Sequence, residues 1–325
     1  VEIAYIGNFR PPHSTENHVV QALGDLGHRV TLLQEDTPAT WGEGPSRYDF
    51  ILWTRTGWNP QAWGWSQERY DDERRIFMAR CSEAGTPVVG FHLDRWWGLT
   101  RQAQITDERD PFFEVDLLVT ADGGHDATWD RYGINHAWLP PAVARRECVP
   151  GEWTSRFAAD VAFVGSWQGY HPEDRHRFDL VDHLQRRGDC RFWPEPGEQA
   201  IRGHDLRNLY ATTLVNVGDS CLIGGITRYC SDRIPETLGR GGFLLHPFVE
   251  GITDGTVVED GKHLICWERG DFDDLDRKIA EWTSDDSGRR EIAERGRSHV
   301  LDHHTYDDRM RTVTAMAGEL MEKAA

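Results

Sequence analysis

Tyr229-Cys230-Ser231-Asp232-Arg233-Ile234-Pro235-Glu236-Thr237-Leu238-Gly239-Arg240-Gly241-Gly242-Phe243-Leu244-Leu245-His246 reads as a polar loop, a short helix, a glycine stop and an apolar strand. Ser231 or Asp232 can cap the helix. Pro235 is acceptable only in its first turn, where a missing N–H costs little. The Glu236 carboxylate therefore sits early in the helix. Gly239, Gly241 and Gly242 end it and let the next strand approach closely. A turn of this kind can offer N–H groups to an anion, while a carboxylate accepts hydrogen bonds from sugar hydroxyls. A nucleotide-sugar carries both kinds of group. Taken alone, the pattern is more simply an ordinary capped helix with Glu236 complementing its dipole.

Outward from this stretch the chain alternates strand and helix in two series. The first opens with an apolar run at residues 3–6, a Pro- and His-containing loop at 8–14, and helical spacing over 16–26 through Val19, Val20, Leu23 and Leu26. Strands are expected at 30–33, 50–53, 87–91, 117–120 and 136–139, with helices at 68–84 and 126–132. After a Pro- and Gly-containing link at 140–153 the second series begins. Strands are expected at 161–164, 190–193, 213–217, 243–246 and 264–267. Helices are expected at 175–187, 206–211, 272–282, 288–301 and 305–323. Such alternation is the pattern of doubly wound α/β sheets, and two in tandem bind ligands in a crevice at the carboxyl ends of their strands. The expected domains are 1–150 and 151–304, followed by a carboxyl-terminal helix at 305–325.

Composition narrows the function. The chain of 325 residues has 38% hydrophobic residues, with 14 Trp and 13 Phe, enough for two cores. No apolar run is long enough to span a membrane. The opening Val1-Glu2-Ile3-Ala4-Tyr5-Ile6 reads as a strand rather than a signal peptide. The six cysteines are scattered without a Cys-x-x-Cys pair, which suits reduced, buried thiols and a cytoplasmic protein. The net charge of −18 repels a phosphate backbone at long range and argues against a nucleic-acid partner. Only Lys262, Lys278 and Lys323 of the 36 basic residues are lysine. Coding bias explains this as well as function does, although arginine is the better fork for carboxylate or phosphate.

Arg233, Glu236, Gly239 and Gly242, then Phe243-Leu244-Leu245 and Glu259-Asp260-Gly261-Lys262-His263-Leu264, resemble the carboxyl-terminal domain of GT-B glycosyltransferases, closest to the branch with CgeB-like members and the group 1 glycosyl transferases. A trailing signature at Ile292-Ala293-Glu294-Arg295-Gly296-Arg297, Val300-Leu301, His304-Thr305-Tyr306 and Arg309 extends the resemblance over about residues 160–310. It implies two Rossmann-like domains facing across a cleft, with the last helix packing back on the first domain. It also implies a nucleotide-diphosphate sugar as co-substrate, with UDP or GDP as its nucleotide and no metal or other cofactor.

By the same resemblance Glu236 holds the donor ribose. Tyr229, Cys230 and Ser231 lie by the diphosphate, with Arg233 as charge partner. Gly165 and Ser166 form part of the diphosphate pocket, where relatives often carry a basic residue. Here Ser166 and Trp167 follow the glycine, so the charge would come from Arg175 or Arg228. Arg228 also stands where a sugar-contacting glutamate is usual. In the first half Asn8 and His13 lie on the loop that closes on donor and acceptor. His92 and Asp94 end a strand at the reacting centre, where a carboxylate in a cleft is a fair general base. Helix solvation for Arg175, helix capping for Asp94 and plain solvation for His13 are the structural readings beside these.

Two constellations are set aside. His299, His303 and His304 lack the carboxylates or cysteines of a usual metal site. Asp122-Gly123-Gly124 lacks the lysine of a P-loop and the spacing of a dinucleotide fingerprint. Trp53, Trp58, Trp63, Trp65, Trp96 and Trp97 suit a sugar-stacking face and a core equally. The expected activity is sugar transfer to an acceptor that is a protein, a glycan, a lipid-linked or a small molecule, metal-independent and with retention. The alternatives are a sugar-nucleotide epimerase or hydrolase of the same fold, and a non-catalytic sugar-binding or structural protein.

Overall fold

Each of the two alternating series builds its own parallel sheet. The computed structural model describes residues 1–42, 44–55, 64–166, 171–223 and 228–324. They divide into two compact units, residues 1–139 with 306–325, and residues 140–305.

In the first unit the strands are β1 (Glu2–Gly7), β2 (Arg29–Gln34), β3 (Phe50–Trp53), β4 (Val88–His92), β5 (Leu117–Thr120) and β6 (His136–Trp138). The order across the sheet is β2-β1-β3-β4-β5-β6, all parallel. β3, β4 and β5 are buried at every residue, which is why they read as unbroken apolar runs rather than alternating ones. Besides a single α-helical turn at Ala103–Thr106, the helices before residue 140 are α1 (Thr15–Asp25), α2 (Gln67–Ala84) and α3 (Asp126–Arg131). Ser14 caps α1 by accepting the Asn17 N–H at 3.2 Å, and Ser66 caps α2 by accepting that of Arg69 at 3.1 Å. Gly85, at φ 66°, ends α2 in the left-handed conformation that an L side chain resists.

The core of this unit is aromatic. Trp53 meets Trp41 edge-on at 5.4 Å and Phe112 at 5.3 Å, and Trp96 and Trp97 are buried in the same cluster. The stacking-face expectation therefore gives way to packing for Trp53, Trp96 and Trp97. Trp65 is half-buried under the Arg69 guanidinium at 4.2 Å, while Trp58 and Trp63 lie outside the described residues. Asp122 is buried and accepts the N–H groups of Trp96 and Trp97, both at 2.8 Å, so it folds that loop rather than cradling phosphate.

In the second unit the strands are β7 (Val161–Val164), β8 (Cys190–Trp193), β9 (Val215–Val217), β10 (Leu244–Pro247) and β11 (Ile265–Trp267). Their order is β11-β10-β9-β7-β8, again all parallel. The helices are α4 (Arg175–Arg187), α5 (Gly203–Thr212), α6 (Arg233–Gly239), α7 (Phe272–Ser284) and α8 (Asp286–His303). From β7 the chain goes to β8 on one side and then to β9 on the other. The carboxyl ends of β7 and β9 therefore flank the point where the winding reverses, the place at which such sheets open a crevice. His299 and His304 both direct Nε2 to the Val257 carbonyl, at 2.8 and 3.0 Å, and His263 stacks on His299 at 4.1 Å. These rings join the 257–263 loop to the end of α8.

The last helix, α9 (Tyr306–Ala324), belongs to the first unit and packs on α1, with Tyr306 beside His18 at 6.1 Å. All six cysteines are free, and no helix among the described residues is long and apolar enough to cross a membrane.

One buried charge group ties α2 to the sheet. The Asp110 carboxylate accepts from Arg74 at 2.8 Å, from Arg55 just beyond β3 at 3.1 Å, and from the Phe112 N–H at 2.9 Å. Burial pushes its carboxyl up, but Arg55 and Arg74 outweigh that and hold it below the usual carboxylate range. Asp110→Ala should cost about 3 kcal/mol, because it leaves two buried guanidiniums short of a partner. Urea unfolding of the variant measures this, and Asp110→Asn should lose less.

Candidate functional site

At the switch point of the second unit the chain leaves a cavity of about 200 Å³. Val164, Gly165 and Ser166 at the end of β7 form one wall, and Arg202, Leu206 and Tyr210 at the start of α5 and along it form another. Arg177, Cys221, Tyr229, Ser231, Asp232, Arg233 and Glu236 complete it. A second cavity of about 290 Å³ shares Val164, Gly165, Ser166 and Arg202 and runs on over residues 193–198. The two adjoin at those four residues.

Two arginines dominate the chemistry. α4 buries residues 177, 180, 181 and 184, so Arg177 occupies the first position of the apolar stripe. Its Nε–H donates to Asp219 Oδ2 at 2.7 Å and its Nη1–H to the Ser166 carbonyl at 3.2 Å. Arg233 reaches back from the first turn of α6, donating from Nε to the Val164 carbonyl at 2.8 Å and from Nη1 to the Asp219 carbonyl at 3.2 Å. Both guanidiniums lie over the ring of the fully buried Phe163, at 5.7 and 5.3 Å. Burial and the neighbouring Arg177 pull Arg233 below its ordinary value, while a guanidinium remains charged throughout the neutral range. The arrangement can offer positive charge to an anion.

Two glycines make the room. Gly165 has φ +127°, and a Cβ there would lie 2.2 Å from Arg233 Nη2. At Gly218 a Cβ would meet Leu244 at 2.9 Å and His246 at 3.1 Å. Glu236 is 31% exposed on its side chain and lies in the first turn of α6, with Arg240 Nη1 at 3.7 Å. It brings carboxylate acceptors to the same cavity that holds the two arginines.

Of the residues expected from sequence, Gly165, Ser166, Tyr229, Ser231, Arg233 and Glu236 are brought together here. Cys230 is fully buried and is not among the lining residues. Arg228 lies over the turn at Gly251, where a Cβ would meet its Cδ at 2.4 Å. Arg175 is exposed in the first turn of α4 and does not line the cavity. The basic residue is Arg177, two positions on, because the stripe that faces inward passes through 177. Trp167 and Thr227 lie outside the described residues. The helix cap also differs. Neither Ser231 nor Asp232 makes a side-chain cap of the usual kind, and Ser231 Oγ instead accepts the Arg233 N–H at 3.4 Å. α6 has seven residues, so the positive charge comes from Arg177 and Arg233 and not from its amino end. Sequence reasoning missed Arg177, Arg202 and Asp219. An arginine at 177 in register with Leu180, Val181 and Leu184 was the available signal for the first.

The candidates in the first unit are placed as follows. Asn8 accepts from Gln34 Nε2 at 3.2 Å and donates its N–H to Glu16 at 3.4 Å, which shapes the loop after β1. His13 is exposed on that loop. His92 ends β4 and is buried against Trp96 at 4.9 Å, and burial pulls it down to about 3, so it is neutral at pH 7. Asp94 accepts its neighbour's N–H at 2.8 Å and pairs with Arg101 at 2.8 Å, in place of capping a helix.

Residues 156–315 match a family model described as glycosyl transferase-like. No curated protein matches the chain in sequence. Among solved structures, HepE of Anabaena in complex with UDP and glucose is 11% identical, with 97% of this chain and 99% of that chain covered at a TM-score of 0.61. A glycosyltransferase from Rickettsia africae is 12% identical over 98% of each chain, at 0.59. Sucrose-phosphate synthase from Thermosynechococcus elongatus is 13% identical over 97% of this chain and 98% of that one, at 0.58. At these identities the structural likeness establishes the fold, two Rossmann-like domains of the GT-B type.

Two outcomes follow from the site's packing. Gly165→Ala should displace the Arg233 guanidinium and cost on the order of 1–3 kcal/mol, read as a lowered urea midpoint. His246 is fully buried, with Ser220 Oγ at 3.1 Å from Nε2 and the Pro247 carbonyl at 2.8 Å from Nδ1. Burial pulls it from 6.5 down to about 4. The unfolded chain then takes up a proton that the folded one refuses. Its contribution is whole above pH 6.5 and is lost as pH falls toward about 4. His246→Asn should flatten the decline in unfolding free energy between pH 7 and 5, by comparison with the parent protein.

Proposed function

We propose that this GT-B glycosyltransferase takes its sugar from a nucleotide diphosphate donor held in the cleft of the second unit. The observation that supports this most directly is one cavity lined by the buried Arg177, the half-buried Arg233 and the Glu236 carboxylate. A donor of this class needs positive charge for its diphosphate and hydrogen-bond acceptors for its ribose hydroxyls. In this reading Arg177 and Arg233 bind the diphosphate and stabilise the negative charge that gathers on it as the sugar departs. They supply charge that a divalent cation supplies in other transferases, so the reading is metal-independent. Glu236 accepts from the ribose. The second cavity, which adjoins the first at Gly165, Ser166 and Arg202, takes the base.

The acceptor side is assigned to the first unit. The neutral His92 contacts the transferred sugar by a hydrogen bond rather than as an acid, and Asp94, released from Arg101, takes the acceptor's proton. Asn8 and His13 contribute from the loop after β1. Retention of configuration is carried over from the resemblance, and UDP heads the candidate nucleotides because HepE was solved with it.

Titration calorimetry with UDP, GDP, dTDP and their sugars tests the donor. One nucleotide should bind, and Glu236→Ala should weaken it by about tenfold or more, equivalent to about 1.4 kcal/mol. Absence of any nucleotide binding, or equal binding by the variant, would sink the assignment. Donor consumption with and without an acceptor-containing lysate separates transfer from hydrolysis or epimerisation, and the anomeric coupling of the product reads the stereochemistry.

A further inference from the structure

Asp219 follows Gly218 just beyond β9 and is completely buried. It does not line the cavity, yet it touches both side chains that give the cavity its charge. Its carboxylate accepts the Arg177 Nε–H at 2.7 Å, and its main-chain carbonyl accepts the Arg233 Nη1–H at 3.2 Å. The other anchor of each guanidinium is a carbonyl at the end of β7, Ser166 for Arg177 and Val164 for Arg233. The two cations are thus pinned between the ends of β7 and β9 with one residue common to both. The groups facing Asp219 are His176 on α4, with Nδ1 at 3.5 Å from Oδ1, Arg177 on the same helix, Arg233 on α6, and the neutral His246 on β10.

We propose that Asp219 is the positioning residue of the diphosphate site, fixing Arg177 and Arg233 in the binding geometry before the anion arrives. This rests on the reading of the cavity as the diphosphate site. Two guanidiniums over one phenyl ring repel each other, and a free arginine side chain has many rotamers to lose on binding. A buried carboxylate behind them offsets the repulsion and removes that freedom in advance, so the ligand meets an ordered pair of cations. Burial alone would push the Asp219 carboxyl up, but His176 and Arg177 outweigh it and hold the group well below the usual carboxylate range. The carboxylate is therefore charged throughout the neutral range.

The test compares UDP, inorganic pyrophosphate and uridine by titration calorimetry against the parent protein, Asp219→Asn, Arg177→Gln and the double variant. Asp219→Asn should weaken UDP and pyrophosphate by about 10- to 100-fold and change uridine by less than about twofold. In the Arg177→Gln background the same change should alter UDP affinity by less than about twofold, because the Asp219 carboxylate acts through the Arg177 guanidinium, while Arg233 is held by the Asp219 main-chain carbonyl, which asparagine keeps. A merely structural role would lower uridine as much as UDP, and an independent role would make the two losses additive; either result overturns the proposal. A measurement on the parent protein does not depend on any variant folding. The arginine Nε resonances of Arg177 and Arg233, assigned by their loss in Lys variants, should be sharp without ligand and shift when pyrophosphate is added. Signals broadened beyond detection without ligand overturn the proposal. If the parent binds no UDP, GDP or pyrophosphate, the diphosphate reading itself fails and takes Asp219's role with it. If the parent binds and Asp219→Asn binds equally, only the role of Asp219 fails.

Discussion

Two guanidinium groups lie 5.7 and 5.3 Å from the Phe163 ring centroid, and the ends of two strands are shaped around them. Like charges at such spacing are unfavourable unless carbonyls and a carboxylate surround them. The ends of β7 and β9 provide both, through Val164, Ser166 and Asp219. Gly165 and Gly218 leave the volume that the Arg233 side chain fills. The apolar stripe of α4 sets Arg177 at the required depth. Strand ends, glycines and one helix face are thus explained together by the need to hold two cations at the bottom of a crevice.

That local charge is opposite in sign to the whole. A net charge of −18 repels anions near the surface, within the roughly 8 Å over which salt leaves fields unscreened. Recognition in the cleft must come from contacts made at close range. The first unit uses the same device for a different end. Asp110 holds Arg55 and Arg74 in its interior, but there the charges face one another and the carboxylate, and their effect is on packing.

The fold was legible because its signals are local. β3, β5, β7, α4 and β8 span the residues that apolar runs and 3.6-residue spacing indicated, and the other described strands and the longer helices differ by only a few residues at their ends. The glycines and Pro235 bounded α6 correctly for the same reason. Part of the site was legible too, since Arg233, Glu236 and Gly165 carry a pattern along the chain. What escaped depends on contacts between distant residues. Asp219 gains its meaning from a residue 42 positions away, and nothing around it marks a lone acid after a strand. Arg175 is one of the two arginines expected to supply the charge missing after Gly165, whereas orientation about the helix axis selects Arg177. Ser231 and Asp232 look like caps in sequence, but the αR conformation of Asp232 and the short α6 remove that geometry. The tryptophans could not be divided between surface and core without knowing which strands lie side by side.

The placement of α9 in the first unit has a consequence for biogenesis. All strands and helices of the second unit lie between residues 140 and 305, so that unit is an uninterrupted insert in the chain of the first. α1 is made before the second unit, whereas α9, which packs on it, is made after it. The usual order in which an amino-terminal domain folds first on the ribosome is therefore disfavoured for completion. The insert can close its own sheet while the first unit still waits for its last helix, leaving the apolar face of α1 as a surface that a nascent chain must shield.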